Sequence, residues 1–260
     1  MNNNSLHENK NELDVRIDYK TFKGLKSEPN LIVIKDMNFK VKAGQFCCLL
    51  GPSGCGKTTL LNILSGLDSN FDGNIQLDNG QTPGFSSIGY MFQEPRLLPW
   101  LTVRENVEVV TNQTEKEKSL SKSMLDQMGL IKNMESFPNQ LSGGMQRRVA
   151  IARAFVNKPK ILLLDEPFIS LDVTVANLLR KMLITMWQQQ QNTIIFVTHD
   201  LREAISLGDR ILFLSKSPSK IIYDYEISLS RPRDIEDKNI EKIRNKLLKS
   251  NPSIIKGVSN

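Results

Sequence analysis

LLGPSGCGKTTLL, residues Leu49–Leu61, is the stretch on which the fold turns. An apolar run stops at Gly51, a glycine-rich polar turn follows, and the apolar pattern resumes at Leu60. Gly51 to Thr58 satisfies G-x-x-x-x-G-K-[ST] in full. The preceding residues, QFCCLL (Gln45–Leu50), are continuously apolar after the first, as expected for a buried parallel strand. A helix is predicted from near Gly56 to about Ser65, which is the context the motif requires. Glycines let successive N–H groups turn onto a phosphate chain, Lys57 brings a cation to it, and Thr58 offers a hydroxyl to Mg²⁺. Gly51, Pro52, Ser53, Gly54, Cys55, Gly56, Lys57, Thr58 and Thr59 are therefore the candidate phosphate-binding segment.

Downstream, ILLLDEP (Ile161–Pro167) reads as a second buried strand ending in two carboxylates. Asp165 is placed to hold Mg²⁺ and Glu166 to polarise an attacking water. Taken alone, the pair could simply terminate a strand; beside a complete phosphate loop the chemical reading is the stronger. SIGYMFQ ends at Gln93, TIIFVTH ends at His199, and RILFL supplies a fourth buried strand of the same kind as ILLLDEP. Strands alternating with helices predict an α/β fold with a mostly parallel sheet. Parallel strands finish at one edge, where ligands bind. Lys57, Gln93, Asp165, Glu166 and His199 should converge there. A lone Gln or His is more often structural, but two at strand ends on one edge reinforce each other.

The rest of the chain hangs on this frame. Residues 1–12 are polar and predicted disordered. LIVI and MNFKV, between residues 13 and 46, predict a small N-terminal antiparallel sheet. GNIQLDNG reads as a strand closed by an Asn-Gly turn. Thr102 with Glu105 forms a capping box, so a helix starts at about Val103. Residues 103–157 are predicted mostly helical, with a break at Ser136–Asn139, as an inserted helical subdomain. Val175, Leu178, Leu179, Met182, Leu183 and Met186 recur at helical spacing and are assigned to the core. Gln188–Gln191 marks a helix end. Residues 231–260 are a charged tail with a helix around Ile235–Leu248.

At 260 residues the chain suits one domain with an insertion. The net charge of +6 permits nucleic acid, an anionic membrane surface, a phosphate ligand or a merely solvated basic surface, so it selects none of them. Cys47, Cys48 and Cys55 sit beside one strand in odd number, which argues against a disulfide framework and for a reducing compartment. Cys55 is either an oxidation-sensitive thiol or a small residue that fits the loop. No apolar run approaches the ~20 residues that span a bilayer. The N-terminus lacks a signal-peptide core. A soluble chain is expected, reaching a membrane only through a partner.

LSGGMQRRVAIARA, Leu141–Ala154, is a second phosphate-like element. Ser142, Gly143 and Gly144 would present a hydroxyl and free N–H groups at a helix start. The strand edge already surrounds one nucleotide, so this face makes sense against the nucleotide of a second copy, with two ATPs sandwiched between two chains. Phosphate loop, Gln93, LSGGMQ (Leu141–Gln146), ILLLDE, Ser170-Leu171-Asp172 and His199 occur in the order of the ATP-binding cassette (ABC) ATPases, which residues 13–233 resemble. The resemblance implies an ATPase domain over 13–230 with a phosphate-loop, RecA-like sheet. It implies Gln93 at Mg²⁺ and the attacking water, Glu166 as catalytic base and His199 at the γ-phosphate. It also implies that Ser142 and Gly144, within the Ser142–Gln146 motif, act on the partner's nucleotide, and that Asp172 couples the two sites. Phe22 falls where the family stacks an aromatic on adenine, with Tyr19 as the neighbouring alternative.

FQEPRLLPWLTVRENV follows Gln93 in the position where the family receives a helix of a membrane permease. Leu97, Leu98 and Trp100 would give that surface its apolar face; the alternative places Trp100 in the core of the helical subdomain. LLPWLTVREN, VTHDLREAISLGDRI and LSRPRD resemble the nitrate, sulfonate and taurine import branch. Gly208 and the Ile169-Ser170 pair depart mildly from that pattern. The expectation is an ATP- and Mg²⁺-dependent importer subunit on the cytoplasmic face of the inner membrane. Its partners would be a second ATPase chain, a permease and, indirectly, a solute-binding protein. Another cargo, such as a thiamine precursor or metal complex, stays open. Action on nucleic acid or ribosomes is disfavoured by the single cassette and the absence of heptads.

Overall fold

The strand before the phosphate loop is β3 (Phe46–Leu50), and all five of its residues are buried. The reason is visible in how its faces divide. Phe46, Cys48 and Leu50 enter one core, while Cys47 and Leu49 enter a second core on the other side of the sheet. The same division holds in β6 (Ile161–Asp165), β7 (Thr193–Thr198) and β8 (Arg210–Leu214). A sheet covered on both faces needs apolar residues at every position, so these strands read as runs and not as alternations. Each fully buried Leu, Ile or Phe contributes roughly 1.5–3 kcal/mol.

This computed structural model describes residues 12–24, 29–77, 82 and 87–258. The expected disorder of residues 1–12 lies, but for Glu12, outside the described residues, as does the Asn79-Gly80 turn. The main sheet has the order β5-β6-β7-β3-β8-β9, with β5 at Ile88–Met91 and β9 at Ile221–Glu226. Its pairs are parallel except β8–β9, which is antiparallel. A smaller antiparallel sheet, β2-β1-β4, joins β1 (Leu13–Phe22), β2 (Leu31–Val41) and β4 (Asp72–Leu77).

Helix α1 (Lys57–Leu64) follows the phosphate loop directly. The block after β5 contains α2 (Val103–Glu108), α3 (Glu115–Gln127) and α4 (Gly143–Phe155). Thr102 and Glu105 form the expected capping box on α2, and Thr114 with Glu117 builds another on α3. A 3₁₀ turn at Pro138–Gln140 overlaps the predicted break at Ser136–Asn139, and another at Ile131–Asn133 precedes it. Helix α5 (Val173–Gln190) ends at Gln191 in a left-handed cap, and α6 (Leu201–Leu207) leads into β8.

Some expectations are corrected. Strand β9 and helix α6 add to the expected elements. Leu178 is 42% exposed; the stripe that α5 buries is Ala176, Leu179, Leu183 and Met186. β5 stops at Met91, so Gln93 lies in the loop beyond it. The charged tail is held down: α7 (Lys238–Ser250) buries Ile240 and Leu247, and Ile254 follows them into the same core.

Candidate functional site

The loop after β3 is shaped by glycines at positions where an L side chain would be strained. Gly54 and Gly56 have φ of +75° and +106°, and a Cβ at Gly56 would come 2.9 Å from Val33 Cγ1. This turn carries Lys57 back beneath the loop, only 6% exposed. Its ammonium donates to the carbonyls of Gly51 (2.8 Å) and Pro52 (2.9 Å) and lies 3.7 Å from Glu166 Oε1. Next to it, Thr58 Oγ1 donates to Asp165 Oδ2 at 2.8 Å. Burial raises the Asp165 carboxyl above its usual range, partly offset by the Thr58 hydrogen bond and the Lys57 charge.

Glu166 follows Asp165 with a positive φ of 43°, and its N–H donates to Val197 O at 3.0 Å. The turn aims its carboxylate along the sheet edge. There Oε2 meets Nδ1 of His199 at 3.1 Å, just past the end of β7. Lys57, Thr58, Thr59, Gln93, Glu166 and His199 line one open cleft of ≈ 630 Å³, together with Phe22, Ser53, Gly54 and Gly56. Asp165 lies behind it, reached through Thr58. The convergence expected of the five edge residues is thus present in the chain.

A hydroxyl and a carboxylate side by side at a phosphate loop match the way Mg²⁺ is held with substrate phosphates, largely through water. Among the described residues no cluster of three or more His, Cys, Asp or Glu offers an all-protein metal cage. The glycine cradle, the buried cation and this donor pair fit a magnesium nucleotide. Cys55 is buried, and burial pushes its thiol up, which disfavours the reactive thiolate. The small-residue reading holds for it: a Cβ on Gly51 would meet its Sγ at 3.0 Å.

The two aromatic candidates, Tyr19 and Phe22, are set differently by β1. Along β1, Leu13, Val15 and Ile17 are buried; the register with β4 then shifts between Ile17 and Tyr19. The shift turns Tyr19 outward and brings Lys20 in, 2% exposed, with its ammonium 2.8 Å from Asp68 Oδ1 and 2.7 Å from Asn70 O. The same ammonium sits 4.7 Å from the centroid of Phe22, which lines the cleft at 44% exposure. Sequence reasoning missed Lys20, since nothing in LDVRIDYKTF marks where the alternation slips.

Ser142, Gly143, Gly144, Gln146 and Asp172 do not line this cleft. Ser142 Oγ caps α4, accepting from Met145 N at 3.3 Å, and Ser142 and Gly143 are exposed. Gly144 packs on α5, where a Cβ would lie 2.8 Å from Val175 Cγ1. Gln146 turns its amide onto Pro138 O (2.9 Å) and Leu141 O (3.4 Å). Asp172 caps α5 through Val175 N at 2.9 Å.

A larger groove, ≈ 1030 Å³, lies between the loop after β5 and the helical block; Tyr90, Phe92, Arg96, Leu98, Val110 and Arg153 are among its walls. Trp100 is 69% exposed, which removes the reading that buried it in the helical core. Leu98 lines the groove, and Leu97 packs against the main core. Among the described residues no helix is long and apolar enough to cross a membrane.

The chain is similar to known proteins over most of its length. The family described as "ABC transporter" matches residues 34–169. The "Aliphatic sulfonates import ATP-binding protein SsuB" of Bacillus cereus is 43% identical over 218 residues, 83% of this chain and 87% of that protein. Its namesake in Bacillus subtilis (strain 168) is 40% identical over 83% of this chain and 86% of its own length. "SsuB 2" of Burkholderia cenocepacia (strain HI2424) is 38% identical over 91% and 86%. Among solved structures, the ATP-binding cassette MJ0796, a dimer in a post-hydrolysis state bound to ADP and Pi, superposes with a TM-score of 0.74. It is 31% identical, and the match covers 84% of this chain and all of that one. By these likenesses the chain belongs to the ABC transporter family, as one of its ATP-binding, ATP-hydrolysing subunits.

Proposed function

We propose that the chain energises an importer of aliphatic sulfonates or a closely related small anion from the cytoplasmic face of the membrane. The observation that carries the ATPase part is the cluster at the sheet edge: Lys57, Thr58 on Asp165, and Glu166 on His199, all within or directly behind one cleft. The cargo assignment rests on the names of the relatives, together with the sequence likeness to the nitrate, sulfonate and taurine branch.

In this reading Phe22 takes the adenine ring, the loop N–H groups take the phosphates, and Lys57 exchanges its carbonyl partners for β- and γ-phosphate oxygens. Bound Mg²⁺ would neutralise developing phosphate charge, held by Thr58 and Asp165, with Gln93 at its edge. Glu166 accepts a proton from the water that attacks the γ-phosphorus, and ADP leaves with the displaced electron pair. His199 steadies the γ-phosphate and holds Glu166 in position. Ser142 and Gly144 lie outside this cleft, so they serve the nucleotide of a second, identical chain, and Asp172 links the two sites. The surface that carries the groove wall at Leu98 and the exposed Trp100 receives a permease helix.

The test is recovery of the tagged chain, as Glu166→Gln, from gently solubilised membranes with ATP present. Loss of the base slows turnover by about 10²-fold or more while ATP binding persists, so the closed complex accumulates. A stoichiometric multi-span membrane protein, encoded beside a sulfonate-binding protein, is the expected companion. Recovery of the chain alone, or with ribosomes, removes the importer reading.

A further inference from the structure

Helix α4 carries a buried arginine that none of the roles above uses. Arg147 is 9% exposed and lies in the second turn, behind Ser142 and Gly144. Its guanidinium donates to three backbone carbonyls: Gln93 at 3.1 Å, Pro167 at 3.0 Å and Ile169 at 2.8 Å. The first belongs to the loop that leads to Leu98 and Trp100. The other two lie in the loop that runs from Glu166 to Asp172. One side chain therefore ties the helix whose amino end faces the second chain to both loops that carry the chain's own catalytic groups.

The loop it grips needs holding. Glu166 and Ser170 both have positive φ, 43° and 59°, without being glycine. Such a backbone persists only where its surroundings over-determine it. Glu166 N–H is fixed by Val197 O, and the end of the loop is fixed by Asp172 on α5. Between those points the carbonyls of Pro167 and Ile169 rest on Arg147. A planar fork can serve several acceptors at once; a lysine ammonium on a flexible stem cannot hold the same three in register. Nearby, Arg153 on the same helix donates to Pro95 O (2.7 Å) and Arg96 O (3.0 Å), which reinforces the grip on the Gln93 loop alone.

We propose that Arg147 is a positioning residue for ATP hydrolysis, keeping the Glu166–Asp172 loop and the Gln93 loop in step with the face that α4 presents to the second chain. The proposal rests on the roles assigned above to Glu166 and Ser142. It makes Arg147 matter for turnover and not for nucleotide capture, because none of its three contacts belongs to the phosphate loop.

The test uses Arg147→Lys and Arg147→Gln in the full chain. Three quantities are read: binding of a fluorescent ATP analogue to the dilute chain, kcat from phosphate release, and the urea midpoint. Misplacement of a catalytic group by a fraction of an ångström to an ångström predicts a loss of about 10- to 100-fold in kcat for both variants, with nucleotide Kd within about threefold of the parent. The Lys variant, which keeps the stem and the charge, retains the parental midpoint, so it decides the matter if the Gln variant folds poorly. Turnover within about twofold of the parent, or a joint fall of kcat, binding and midpoint in the Lys variant, overturns the proposal. Ser142→Arg is measured alongside. Normal turnover in that variant removes the two-chain reading itself; an inactive Ser142→Arg beside normal Arg147 variants removes only the role of Arg147.

Discussion

Asp165 shows how burial and function pull against each other at a single residue. It is 2% exposed, and burial raises its carboxyl despite the Thr58 hydrogen bond and the nearby Lys57 charge. The folded chain therefore holds this proton at pH values where an unfolded aspartate has lost it. Between the ordinary aspartate value and the raised one, the folded state binds more protons, so its stability falls as pH rises through that window and levels off above it. Asp165→Asn removes the titration and can still accept the Thr58 hydroxyl. The nucleotide-free variant should lose less stability than the parent across that window when urea unfolding is followed against pH. Parallel profiles would refute the assignment. The sequence places Asp165 at the end of its strand, but it carries no sign of this shift. The shift comes from the two cores that close over the sheet. Lys20 is a similar case: its burial follows from a slip in strand register that leaves no mark in composition or spacing.

At the scale of elements, legibility tracks how completely an element is covered. β3, β6, β7 and β8 are apolar at almost every position because both faces are buried, and they could be read directly. β9 is only half covered at the sheet edge, and its IIYDYE gives neither a run nor a clean alternation. α6 has seven residues, too few for a 3.6-residue period to repeat convincingly. Helix α2 is as short, yet its start was legible, because a capping box is local chemistry. That helix also organises the loop before it. Asn106 is fully buried; its amide donates to Leu98 O (3.1 Å), Leu101 O (3.0 Å) and Thr102 O (3.0 Å), and its Oδ1 accepts from Leu98 N (2.8 Å). The loop that displays Trp100 is thus built on one side chain. Asn106→Ala leaves buried backbone groups unpaired and should cost about 1–3 kcal/mol in urea unfolding. It should also reduce co-purification of the membrane partner while ATP turnover of the isolated chain persists. An unchanged midpoint would show that the loop is held by something else, and full recovery of the partner would detach this loop from docking.

For the whole molecule, the arrangement of the two phosphate-like elements is what matters. The cleft gathers Lys57, Thr58, Gln93, Glu166 and His199, while the exposed start of α4 at Ser142 and Gly143 stands apart from it. Both elements were legible as motifs, because each is a contiguous stretch with its own chemistry. Their separation followed from the sequence only through the two-chain reading; its geometry depends on where the helical block sits on the sheet. In the proposed reading a single chain captures nucleotide with the cleft residues and lacks the Ser142–Gln146 set at the same place. If two copies complete each other's sites, turnover per chain must depend on chain concentration, whereas capture must not. Phosphate release per chain should rise with concentration to a plateau, and the affinity of the dilute chain for an ATP analogue should stay constant over the same range. Ser142→Arg puts a long cation where a partner's phosphates would have to approach. It should abolish turnover at every concentration and leave the affinity of the dilute chain within about threefold of the parent. Turnover per chain that is flat on dilution would mean that the cleft is complete by itself, and LSGGMQ would then need another purpose.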